Sequence, residues 1–363
     1  MSAGGTVGRR AFLAAAGTVG MAGLAGCTGP RDGDPTPEEP PAVTHRQEGV
    51  LRPAPASTVL TAYDVTATDR AGLAAALRAL SDPDGNATVL VAVGASLFDH
   101  RFGLSSPRRL VDMPEFRNDV LDPSWCHGDL LVQVSAETGE QVEAALARPV
   151  PGVRKRWRIA GFHPTGLGDG VRNLFGFREG AGNPDATDGD LMDRLVWVQP
   201  GAGEPSWCAG GCYQVVRLIR LAMPTWDSES AAEQERVFGV RKDTGLPLGQ
   251  SGEHTELDYA DDPHGSTIAL DAHIRRANPR TPDSVAHRIL RRGYAYRLSA
   301  EDAGHVFVCF QRDLELGFAT IQRRLAGEAL ERYLLPFGGG YYFVLPGSAG
   351  GEDYLGRGML EGS

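Results

Sequence analysis

The sequence predicts an α+β fold made of two ferredoxin-like βαββαβ units packed sheet to sheet. Three observations carry that expectation. Short apolar stretches alternate with period two, stretches of helical spacing fall between them, and both halves show them in the same order. The 363 residues suffice for two domains.

In the first half, residues 58–65 alternate as a strand, and residues 69–80 place Leu73, Ala76, Leu77 and Leu80 on one helical face. Residues 87–93 and 129–135 are Val- and Leu-rich strands. Residues 138–148 form a helix opening on a Thr138 cap and a Glu140-Gln141 pair, and residues 157–163 close the unit as a strand. The second half repeats the order: strand 212–222, helix 228–238, strands 293–298 and 306–311, helix 313–325 and strand 340–345. A long insertion, 239–292, interrupts it, and insertions beyond about 15 residues in a compact domain tend to be functional. The expected division is a signal at 1–27, a flexible tether at 28–50, and domains at 51–195 and 196–363.

The formal charge of −10 argues against a general nucleic-acid-binding role. Nothing after the N-terminus is long and apolar enough to be expected to span a bilayer. Arg9 and Arg10 precede the small-residue apolar run 11–26, the pattern of a twin-arginine export signal. The run ends in Leu24-Ala25-Gly26-Cys27, which looks like a bacterial lipoprotein box with Cys27 as the lipidated residue. The Pro- and acid-rich stretch 28–41 reads as a tether. Cys208 and Cys212 flank a Gly-Gly turn, where a disulfide and two free thiols are both open.

Residues 173–185, NLFGFREGAGNPD, are mostly glycine and turn formers around one acid, Glu179. Such a backbone can wrap closely around a flat ligand and present a single carboxyl group. The insertion holds Asp271-Ala272-His273-Ile274-Arg275-Arg276-Ala277-Asn278-Pro279-Arg280, followed by Arg291-Arg292-Gly293-Tyr294.

The glycine loop resembles the GFxDGxxNP segment of dye-decolorizing (DyP-type) peroxidases. The insertion is similar to that family's AHIRxxNPR and LRRGYSY segments. Ser96-Leu97-Phe98-Asp99, residues 128–133 and Gly338-Gly339-Gly340 extend the match in order along the chain. The resemblance includes the subgroup with twin-arginine export and deferrochelatase-like members, and it implies the dimeric α+β barrel superfamily. It also implies one non-covalent haem b per chain, and no C-x-x-C-H is present for covalent attachment.

By the same resemblance His273 is the proximal ligand of the haem iron. Its second ring nitrogen is expected to donate to a carboxylate, with Asp313 and Glu331 as candidates. Arg291 matches the family's distal arginine, and Glu179 stands where the family has aspartate; these two are the implied catalytic residues. Glutamate carries its carboxyl group about 1.5 Å farther out, roughly one C–C bond. Gly180, Ala181, Gly182, Asn278, Pro279 and Arg280 are implied to pack on the haem, with Arg275 or Arg280 meeting a propionate. The expected activity is reduction of hydrogen peroxide with oxidation of an unknown donor by an exported, lipid-anchored protein. The alternative is a deferrochelatase or haem-handling lipoprotein with iron-uptake partners. Homo-oligomerisation is left open.

Overall fold

The computed structural model describes residues 45–81, 87–167, 169–250 and 257–362. The twin-arginine segment, Cys27 and the tether up to residue 44 lie outside the described residues. Residues 45–50, expected as tether, are docked instead. The Gln47 amide donates to the carbonyls of Val91 and Leu345, and Val50 is fully buried.

The first unit runs β1 (Ser57–Val65), α1 (Arg70–Ser81), β2 (Thr88–Gly94), β3 (Leu130–Ala136), α2 (Gly139–Leu146) and β4 (Val153–Phe162). Its antiparallel order is β4-β1-β3-β2. The Thr138 hydroxyl and the Gln141 side chain close a capping box on α2, as the sequence predicts. A helix not expected from the sequence, α3 (Gly189–Leu195), follows, capped by Asp188.

The second unit has β5 (Cys212–Leu221), then α4 (Met223–Asp227) and α5 (Ala231–Phe238) where the sequence suggests one helix. The break is local: the Ser230 hydroxyl accepts from Glu233 N and starts α5 afresh. Then come α6 (His273–Ala277), β6 (Leu290–Arg291), β7 (Tyr294–Arg297) and β8 (Ala303–Gln311). The expected helix 313–325 begins as a π-turn at Glu315–Ala319 before α7 (Thr320–Leu325). Last are β9 (Leu334–Val344) and α8 (Arg357–Glu361).

β5 pairs with both β8 and β9, and β8 with β7, so the second unit has the same strand order as the first. β2 joins β9 through Ala92–Val344, Val93–Phe343 and Gly94–Tyr342, and β4 joins β7 through Phe162–Ala295. The two sheets thus close into one ring of strands. Alternate residues divide between two cores. Leu60, Leu131, Trp157, Val216, Val308 and Tyr342 fill the interior, while Val59, Val132, Val215, Phe343 and the apolar stripe of α1 pack on the outside.

Candidate functional site

A cavity of about 1340 Å³, open mouth included, lies outside the ring against the second sheet. Arg217 and Ile219 of β5 and Phe307 of β8 form its floor. Phe318, Ile321 and Leu325 wall it from the π-turn and α7, and His273, Ile274 and Ala277 from α6.

His273 opens α6, and its Nδ1 lies 2.7 Å from Oε2 of Glu328, a buried residue. In the tautomer with its proton on Nδ1, the ring donates to the carboxylate and Nε2 keeps its lone pair. This partner corrects the expectation of Asp313 or Glu331. Asp313 accepts from Glu315 N and Leu316 N at the start of the π-turn, and Glu331 accepts from Gly327 N.

The glycine loop is anchored rather than slack. Phe175 and Phe177 sink into a cluster with Trp226 and Tyr333. The Arg172 guanidinium donates to the carbonyls of Gly176, Lys242 and Asp243. Ala181 and Gly182 line the cavity, and a Cβ on Gly182 would meet nothing within 4 Å. Gly180 and Gly182 both take positive φ, which glycine adopts without strain. Asp185 and Asp188 are spent locally, on Thr187 and on the cap of α3.

Arg291 lines the cavity and is held rigidly. Its Nε lies 3.2 Å from Asn183 Oδ1, and its terminal nitrogen donates to Ala181 O at 2.6 Å. Burial lowers the Arg291 pKa, and the Glu179 carboxylate opposes that. Glu179 is not among the residues lining the cavity; its Oε1 lies 4.0 Å from Nδ1 of His305 on β8.

Asn278 and Arg280 reach the cavity wall, while Pro279 and Gly180 flank it in sequence. Arg275 does not reach it, against expectation. Its guanidinium pairs with Asp262, donates to the carbonyls of Asp262 and Ile268, and stacks over Tyr259. Sequence reasoning missed Arg288, which lines the cavity beside Arg280 and Arg291. Burial lowers its pKa, and those two arginines lower it further. Its place three residues before Arg291 was the available signal. It also missed Arg217, whose guanidinium pairs with Asp119 inside the wall.

The donor set suits a haem: an imidazole on the cavity wall, apolar walls, an open glycine backbone, and Arg280 and Arg288 for acidic side groups. Cys126, Cys208, Cys212 and Cys309 are buried free thiols, so Cys208 and Cys212 are not bridged.

The model of the Dyp-type peroxidase C-terminal region matches residues 170–349, and that of the N-terminal region residues 79–163. The chain is 42% identical over 373 residues to the deferrochelatase of Shigella flexneri serotype 5b (strain 8401), covering 89% of this chain and 88% of that one. It is 41% identical over 372 residues to a deferrochelatase of Escherichia coli O6:K15:H31, with the same coverage. Among solved structures it is similar to a DyP-type peroxidase from Cellulomonas bogoriensis, with TM-score 0.76 and 32% identity over 87% of this chain and 97% of that one. Ferric DtpA from Streptomyces lividans gives TM-score 0.76 and 31% identity over 88% and 97%.

Proposed function

Since the chain belongs to the Dyp-type peroxidase family of haem-dependent enzymes, we propose that it binds one non-covalent haem b and reduces hydrogen peroxide at the expense of a donor not yet known. The observation that carries this reading is the His273–Glu328 pair on the wall of the large cavity. A buried carboxylate on the far ring nitrogen fixes the imidazole and makes Nε2 a stronger donor to iron. When bound, haem would supply the iron that takes up peroxide and the electrons that break its O–O bond.

The chain's own residues do the rest. Arg280 and Arg288 offer charge to the propionates. Arg291, clamped by Asn183 and Ala181, presents a fixed positive charge where negative charge develops as the O–O bond polarises. Glu179 is the carboxylate near Arg291 that takes the proton from peroxide and returns one to the departing oxygen. Full-length protein should show a Soret band that His273→Ala abolishes. A normal band in that variant would sink the assignment.

A second reading, iron release from haem with the porphyrin left intact, is favoured by the 42% identity to proteins named deferrochelatase and by a Glu179 side chain absent from the cavity wall. Free porphyrin after anaerobic reduction would support it, and a rapid Soret change on mixing with peroxide would favour the first. We place the protein outside the cytoplasm, exported by the twin-arginine route and anchored through Cys27. Loss of detergent-phase partitioning in Cys27→Ser tests the anchor.

A further inference from the structure

We propose that His305 is a positioning residue for the peroxide reaction, holding the Glu179 carboxylate close to Arg291 and exchanging a proton with it. The proposal rests on reading Glu179 as the proton carrier. His305 sits on β8 two residues before Phe307, so the pleat puts both side chains on the cavity side of the strand. Its Nδ1 is 4.0 Å from Glu179 Oε1, a gap that a small side-chain rotation or one bridging water closes.

The surroundings are built for this approach. A Cβ at Gly293 would lie 2.6 Å from His305 Cε1 and 3.4 Å from Glu179 Oε2, so a glycine there is what lets the two side chains meet. Arg291, a cavity-lining guanidinium near Glu179, already spends its Nε and a terminal nitrogen on Asn183 and Ala181. An aspartate at 179 would fall short of His305 by about 1.5 Å, roughly one C–C bond. The length of Glu179 matches the histidine.

The charges around His305 favour proton exchange. Burial lowers its pKa, Glu179 opposes that and Arg291 adds to it, so the imidazole is neutral near pH 7 and free to accept. Burial also lowers the pKa of His163, which hydrogen-bonds the Gly293 backbone and feels the Glu179 charge. In the exchange, the O–H bond of the Glu179 carboxylic acid breaks as an N–H bond forms at His305 Nδ1. This leaves carboxylate and imidazolium; the reverse step returns the proton. The His305 side chain is 18% exposed.

The test uses full-length protein labelled with 15N-histidine, in the diamagnetic reduced carbonmonoxy form or as isolated if it takes up no haem. The His305 ring signal, assigned with His305→Gln, should titrate at lower pH in Glu179→Gln than in the unmutated protein. An unchanged titration overturns the proposal. His305→Gln should slow the peroxide reaction roughly ten- to hundredfold and reshape its pH profile while leaving the Soret band in place. Gly293→Ala, which pushes the ring aside without removing it, should do the same. In a Glu179→Asp background His305→Gln should have little further effect; full additivity of the two changes also overturns the proposal. A protein that takes up no haem defeats the functional reading, and the histidine titration still decides this one.

Discussion

His273 and Glu328 form a pair in which the carboxylate, buried behind the imidazole, decides which ring nitrogen faces the cavity. Glu328→Gln keeps a hydrogen-bonding group of the same size and removes the charge. Haem affinity should fall about tenfold or more, and the iron reduction potential should rise because the imidazole is a weaker donor. Haem titration and spectroelectrochemistry check both. An unchanged potential would deny the carboxylate its tuning role.

Arg291→Leu removes a fixed charge without touching the ligand pair. The Soret band should persist while the rate of the peroxide reaction drops about 100-fold or more, the usual cost of losing one such group. Stopped-flow absorbance measures it.

Arg217 and Asp119 form a buried ion pair in the cavity wall, with side-chain exposures of 4% and 0%. Asp119→Asn strands the guanidinium. The expected loss is about 3–5 kcal/mol of stability, read as a lower midpoint of chemical unfolding. Replacing both residues with apolar ones of similar volume should cost less than the single change.

Burial lowers the pKa of His127, His163 and His305. Each therefore binds a proton more readily in the unfolded chain than in the folded one. Stability then falls as pH drops below about 6.5, the ordinary histidine value, and keeps falling until the folded-state pKa is passed. Melting temperature between pH 7.5 and 5 should show this decline, and His163→Gln should flatten it.

The four described cysteines are buried, and burial raises the thiol pKa of each. A thiol reagent at pH 8 should label them in the folded protein far more slowly than after denaturation. Rapid labelling of Cys208 or Cys212 in the folded state would contradict the packing described.

The strands of the first sheet were legible because one face meets the ring interior and the other the helices, which imposes a period of two. β9 starts six residues before the predicted strand 340–345. Pro336 and the run Gly338-Gly339-Gly340 look like a turn, but a Cβ at Gly338 would lie 2.6 Å from the Trp125 carbonyl and one at Gly339 2.0 Å from that of Val216. Here glycine serves close backbone approach inside a strand. In the site, His273 and Arg291 were legible because each sits in a dense local motif. Glu328 was not, since it meets His273 from 55 residues away along the chain. Arg275 misled for the opposite reason: closeness in sequence to His273 did not decide where its side chain turned, and the Asp262 loop claims it.

The strand ring has a consequence for the order of events during synthesis. Its seam joins β2 to residues 342–344 of β9, which follow it far along the chain. The cavity wall itself includes Leu334 and Pro336. A nascent chain that stops before them already holds the glycine loop and the His273 segment and still has no finished pocket. The pocket is therefore finished only once β9 has emerged, whatever ligand it is to hold.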